Sequence, residues 1–317
     1  MRAFVLSGGG NYGALQAGAL GALISHGLQP DLVIGASAGA LNAAWFAAHP
    51  TPSGVRELCR LWIDRAPQAF PPLASMTSVM RLARGKDGIL SNAPLVDTIR
   101  RFGPGDGRFR DYGKPRLYVV AVRLADGRLK VFGDDLEERV LDGLMASTAI
   151  PPVFRPWEVD GVDYIDGGVI SNLPLEAAVA RGADEIYALL IGPHSLASLE
   201  GKPAEGALGV TGQAVSLMLN HQIAREIEEI RRRRGVRLHV IRLDAVPDPG
   251  FWNFSAAREL IAAGREAVER YLDPRPVRTT YRERWQQLQR RWHEQPGAGA
   301  IPASAARDEG PIRSILR

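Results

Sequence analysis

Short apolar runs and helical periodicities alternate along most of the chain. Residues 3–7 form a brief apolar run that leads into Gly8-Gly9-Gly10, which predicts a strand feeding a glycine loop. Residues 14–26 then place Leu15, Ala19, Ala22 and Leu23 at helical spacing, and Gly27 follows as a helix C-terminal cap. Residues 32–36 read as a second buried strand, and the stretch from Ala38 to Ala48 is small and helical. A strand, a loop, a helix, a strand, a turn and a helix in such quick succession predict a parallel sheet with helices on its faces and right-handed crossovers.

The pattern changes between residues 50 and 115, where prolines stand at 50, 52, 67, 71 and 72 among short helical pieces. We read this stretch as a helical insertion that caps the site, not as a separate domain. A hairpin is expected next, with strands near 116–124 and 128–132 joined at Asp126-Gly127. Residues 137–147 predict a helix that ends before Pro151-Pro152. Strands at 156–159 and 162–165 turn at Asp160-Gly161 and run into Asp166-Gly167-Gly168. A helix at 174–181, a strand at 186–191, a long helix near 207–234, a strand at 236–243 and a helix near 255–271 complete the alternation. The fold class is therefore α/β, with a mostly parallel central sheet flanked by helices over residues 1–273 and a basic appendage over 274–317.

Composition narrows the functional classes. Hydrophobic residues make up 45% of the chain and charged residues 23%, an ordinary globular balance that allows a large core. The single cysteine, Cys59, excludes an intrachain disulfide and reads as a small buried hydrophobe beside Val55, Leu58 and Trp62. The N-terminal apolar run is too short for a secretory signal, and no run reaches the length of a membrane span, so a cytoplasmic protein is the expectation. Net charge is +4, yet the segment from Pro274 onward carries +5 and the remainder −1. That placement argues against a nucleic-acid-binding fold. Within the tail, Tyr281, Trp285, Leu288 and Trp292 fall on one face of an Arg-rich helix. Such a stripe can dock on the protein's own body or a second subunit, or make peripheral contact with an anionic membrane.

Two segments carry candidate chemistry. Gly8, Gly10 and Gly13 satisfy G-x-G-x-x-G between a strand and a helix, which fits a dinucleotide site, an oxyanion hole or a plain tight turn. A dinucleotide-binding oxidoreductase also needs an acidic residue at the end of the second strand. Asp31 precedes that strand, which ends in Ala36-Ser37 instead. Gly35-Ala36-Ser37-Ala38-Gly39 is G-x-S-x-G at a strand-to-helix junction, the context that exposes a nucleophilic serine on a sharp turn.

A serine needs a base. His26 and His49 lie at helix ends, His221 on the long helix, His239 within a strand and His293 in the tail. His194 follows a strand, but nothing around it resembles a catalytic loop. Asp166-Gly167-Gly168 follows a strand and can reach the carboxyl edge of the sheet, where ligands bind in open α/β folds. A carboxylate is a weak base for an alcohol unless an apolar setting raises its pKa.

Four blocks in order resemble the patatin-like phospholipase family: the loop Gly8-Gly9-Gly10-Asn11-Tyr12-Gly13, Gly35-Ala36-Ser37-Ala38-Gly39, Ala146-Ser147-Thr148-Ala149-Ile150-Pro151, and Asp166-Gly167-Gly168. Asn172 and Pro174 also look like the family. The resemblance implies a three-layer α/β/α fold and a Ser37–Asp166 dyad without histidine. It also implies an oxyanion hole from the backbone of Gly8, Gly9 and Gly10, and hydrolysis of lipid acyl esters without metal or cofactor. Gly13, Gly35, Gly39, Gly167 and Gly168 are the supporting glycines of these motifs. Where the family often has Lys or Arg before the last glycine of the loop, this chain has Tyr12, a difference that bears on phosphate recognition. A catalytically silent regulatory or scaffold protein on the same fold is the alternative from another class.

Overall fold

The structure, a computed structural model, describes residues 1–70, 88–103, 106–192, 206–244 and 253–273. Its strands are β1 (Arg2–Leu6), β2 (Leu32–Ala36), β3 (Arg116–Arg123), β4 (Leu129–Phe132), β5 (Trp157–Val159), β6 (Val162–Asp166), β7 (Glu185–Ile191) and β8 (Arg237–Leu243). The helices are α1 (Gly13–Ser25), α2 (Ala38–Ala48), α3 (Pro52–Asp64), α4 (Ala66–Ala69), α5 (Ala93–Phe102), α6 (Val140–Ser147), α7 (Gly168–Ser171), α8 (Leu175–Val179), α9 (Gly206–Arg232) and α10 (Ala257–Leu272). Gly27 takes a left-handed conformation at φ 74° just after α1, as its reading as a helix stop requires.

β1, β2, β3, β7 and β8 run parallel, and β4, β5 and β6 join antiparallel. Residues alternate between two cores, as strands buried on both faces must. Phe4, Leu6, Val33 and Val119 pack with α1, α2, α3 and α10 on one side. Ala3, Val5, Ile34 and Val120 pack with Leu175 of α8 and Ile223, Ile227 and Ile230 of α9 on the other.

One edge of β3 is shared by two strands in turn. β2 pairs with it along Arg116–Val120, Ala36 standing opposite Val120. β6 pairs antiparallel along Ala121–Arg123, Asp166 standing opposite Ala121. β4 pairs along Val119–Val122, overlapping both, and so takes the opposite edge. β2 and β6 therefore meet head-on, and their last residues occupy neighbouring rungs. Asp166 reaches the carboxyl edge of β2 from the opposite direction, on an antiparallel strand.

In its described part, the stretch from 50 to 115 packs several residues into the body of the domain. Val55, Leu58 and Trp62 form an amphipathic stripe on α3 that is buried in the same core as α1 and α2. Leu95 and Ile99 of α5 and Phe109 join that core. This apolar stripe makes α3 part of the helical layer. Residues 71–87, His194, and the whole aromatic and basic stripe beyond Pro274 lie outside the described residues. Among the described residues no helix is long and apolar enough to cross a membrane.

Candidate active site

Ser37 sits where β2 turns into α2, at φ 53° and ψ −125°. A non-glycine residue held there costs about 1–3 kcal/mol and persists only when its surroundings enforce it. Two contacts do so. The Ser37 carbonyl accepts from the N–H groups of Ala40 (2.9 Å) and Leu41 (3.3 Å), the first turn of α2. Its own N–H donates to the Ser147 hydroxyl at 2.9 Å, deep in the protein. Gly39 lets α2 start against the end of β1, since a Cβ there would lie 2.3 Å from the Leu6 carbonyl oxygen.

The glycine loop follows β1 directly and lies against Ser37. A Cβ on Gly8 would meet the Ser37 Cβ at 3.1 Å and Asn172 Oδ1 at 2.4 Å, so only glycine fits. The loop is fixed from below by a buried chain of amides. Trp62 Nε1 donates to Asn42 Oδ1 (2.7 Å), Asn42 Nδ2 to the Gly13 carbonyl (2.9 Å), and Gln16 Nε2 to the Ser7 carbonyl (2.8 Å). The three glycines are not equivalent. The Gly8 N–H donates to the Asn172 carbonyl at 3.0 Å and is thereby committed to holding the loop. No such backbone bond is made by the N–H groups of Gly9 and Gly10 among the described residues. Gly8 thus acts as the tether of the loop.

Asp166 ends β6 with its N–H on the Ala149 carbonyl at 3.1 Å. Its side chain is buried. Oδ1 accepts from the Gly168 N–H at 2.7 Å, whereas Oδ2 has no partner among the described residues. Burial raises the pKa of this carboxyl to about 7, and the Ser37 hydroxyl and the Gly168 N–H oppose the rise. The hydroxyl is thus near enough to bias the titration of Asp166, while no well-aligned hydrogen bond to Oδ2 is formed. In catalytic sites without substrate such bonds are commonly long and tighten on binding.

The model of the patatin-like phospholipase family matches residues 4–179. The chain belongs to this family. It is 28% identical over 191 residues to patatin-like phospholipase domain-containing protein 7 of Rattus norvegicus, covering 60% of this chain and 13% of that protein. It is 29% identical over 199 residues to the uncharacterized protein YjjU of Escherichia coli, covering 61% of this chain and 53% of that one. The chain thus spans well under two thirds of either relative's length. Among solved structures it resembles VipD from Legionella pneumophila, with a TM-score of 0.42 and 16% identity, over 86% of this chain and 67% of that one.

Several patatin-like features acquire a physical meaning in the structure. Tyr12 is completely buried in the core, so it is a packing residue and not a substitute for a phosphate-binding cation. The segment Ala146–Pro151 ties the two halves of the site together, because Ser147 holds the Ser37 backbone and Ala149 holds that of Asp166. In the sequence alone that segment carries a resemblance and no visible task. Asn172, noted only as a likeness, proves to hold Gly8. Asp31, the nearest acid to a dinucleotide site, instead accepts from the Arg2 N–H at 2.9 Å and pairs with Lys114. The described histidines are engaged elsewhere. His26 pairs with Glu269, His49 stacks on Trp45, His239 stacks on Tyr187, and His221 is exposed on α9.

Proposed function

We propose that the protein is a lipid acyl hydrolase of the esterase, phospholipase A or lysophospholipase type, with Ser37 as nucleophile and Asp166 as general base. The observation that carries this reading is a strained serine on the strand-to-helix turn together with a buried carboxyl whose pKa lies near 7 and which the serine hydroxyl influences. A base titrating near neutrality is best matched to proton transfer at that pH. Asp166 takes the Ser37 proton as Oγ attacks the acyl carbonyl. The N–H groups of Gly9 and Gly10 stabilise the oxyanion, a contribution on the order of 3 kcal/mol for each donor. Asp166 then returns the proton to the leaving alcohol, and water activated by the same carboxylate hydrolyses the acyl-enzyme.

The acyl group has a candidate berth. A small open pocket of about 90 Å³ runs between α2, α3, α4, α5 and α6, walled by Leu41, Leu58, Leu61, Ala69, Ile99 and Leu144. Leu41 lies one helical turn beyond Ser37 on α2, and Leu144 one turn before Ser147 on α6. Two of its polar members, which also include Arg65, are already used. The Asn42 amide binds Gly13, Gln16 and Trp62, and the Thr98 hydroxyl donates to the Pro94 carbonyl at 2.8 Å. A wall with so little left to offer a polar ligand suits a hydrocarbon chain.

The test is hydrolysis of p-nitrophenyl esters of increasing acyl length by wild type, Ser37→Ala and Asp166→Asn, each checked for folding by circular dichroism. Turnover by wild type and its loss in both folded variants is the expected result. Full activity in Asp166→Asn would remove Asp166 as the base, and an inactive wild type that also resists fluorophosphonate labelling would favour a regulatory protein.

A further inference from the structure

The Asn172 side chain is the one polar group at the site left without a task. Its backbone is anchored at both ends, the carbonyl accepting from Gly8 and the N–H donating to Gln222 Oε1 at 3.4 Å. The residue is buried, and its Nδ2 has no hydrogen-bond partner among the described residues. A buried unpaired N–H is costly, so its retention calls for a partner that arrives during turnover.

Position identifies that partner. Asn172 Oδ1 lies 2.4 Å from where a Cβ of Gly8 would be, and the Ser37 Cβ lies 3.1 Å from the same point. At Gly168 the equivalent point is 2.8 Å from Asn172 Oδ1 and 3.0 Å from Asp166 Oδ1. The carboxamide therefore stands beside both halves of the dyad. In the same site, Asp166 Oδ2 is a buried acceptor that also has no partner among the described residues. An unpaired donor and an unpaired acceptor flanking one reaction centre are complementary to a single oxygen that carries a proton.

We propose that Asn172 holds, through Nδ2–H, the oxygen that exchanges a proton with Asp166: the leaving alcohol in acylation and the attacking water in deacylation. The idea rests on the dyad reading above. In deacylation the water oxygen forms a bond to the acyl carbon while its proton passes to Asp166. The bond from the acyl carbon to Ser37 Oγ then breaks, and that proton returns to Oγ. Asn172 gains and loses no proton. It fixes the water's lone pair toward its own N–H, which leaves a second lone pair for the carbonyl and a hydrogen for Oδ2.

The leaving group separates this role from a purely structural one. p-Nitrophenolate needs no proton on departure, so acylation by p-nitrophenyl butyrate bypasses Asn172, whereas deacylation does not. In Asn172→Leu, Ser37 should acylate within about threefold of wild type, and steady turnover should fall roughly 10- to 100-fold. A burst of p-nitrophenol near one equivalent per site should appear. Asn172→Ala, which opens space for water, should show the same split with a smaller loss. Circular dichroism and the rate of fluorophosphonate labelling of Ser37 report on the fold and the nucleophile. Turnover and labelling falling by the same factor in both variants would make Asn172 a scaffold residue and overturn the proposal, as would turnover unchanged from wild type. If wild type neither labels nor turns over, the dyad reading itself fails, and the proposal with it.

Discussion

Two carboxyls in this molecule, Asp166 buried and Glu226 half-buried, share one electrostatic signature and differ in everything else. Burial raises both Asp166 and Glu226 of α9 to a pKa of about 7. Around Glu226 the hydrogen bonds are complete. It accepts from the Ser171 hydroxyl at 3.2 Å and from the Glu176 N–H at 3.2 Å, at the start of α8. Four residues earlier on α9, Gln222 Nε2 donates to the carbonyls of Val169 and Ile170. α9 thus clamps the segment that follows Asp166. Asp166 itself keeps one oxygen unpaired beside a strained serine. A raised pKa alone marks desolvation; it marks chemistry when an acceptor is left open toward a nucleophile.

The sharpest way to break this contrast is to remove each carboxyl in turn. Asp166→Asn and Ser37→Ala should each lower kcat/KM by at least about 10⁴-fold, measured on an activated ester. Glu226→Gln should leave it within about threefold, because the amide oxygen can still accept from Ser171 and Glu176. Equal losses at the two positions would abolish the distinction.

A second effect is the pH profile. Asp166 acts only as the carboxylate, so log kcat/KM should rise by about one for each pH unit below 7 and flatten above it. Glu226→Gln should not move that midpoint, whereas a profile with its midpoint near the ordinary carboxylate value would contradict the desolvated base.

Stability should run the other way. Both carboxyls titrate at a higher pH folded than unfolded, where the ordinary values are 3.8 and 4.5. Between about pH 4 and 7 the folded state holds protons that the unfolded state has released, so stability falls as pH rises through that window. Asp166→Asn should therefore be more stable than wild type by on the order of 2 kcal/mol at pH 8, and no more stable at pH 4. Denaturant midpoints at the two pH values decide this. The smallest effect is expected from Glu226→Gln, about 1 kcal/mol of stabilisation at pH 8 and none at pH 4.

Much of this architecture is legible in the sequence because it is local. β1 and β2, the hairpin at Asp126-Gly127 and the long α9 follow from apolar runs and turn residues, and the serine turn from the glycines that bracket it. What stayed hidden depends on residues far apart in the chain. The stripe Val55, Leu58, Trp62 is plain in the sequence, but only the structure shows that it packs into the same core as α1 and α2. The Ser147 hydroxyl reaches the Ser37 backbone across 110 positions. The Gly8 N–H looks like an oxyanion donor until its partner, the Asn172 carbonyl, is seen. The raised pKa of Asp166 was foreseeable as a need, since an ordinary carboxylate is too weak a base, but not as a fact.

The head-on meeting of β2 and β6 on one edge of β3 makes the site a gauge of strand alignment. Successive side chains on a strand point to opposite faces. A slip of β6 by a single residue along β3 would keep the sheet, its hydrogen bonds and its circular dichroism, yet would turn the Asp166 carboxyl away from Ser37. Turnover would vanish in molecules that every bulk spectroscopic criterion counts as native. Specific activity per labelled serine is therefore a finer measure of correct folding for this protein than any signal from its secondary structure.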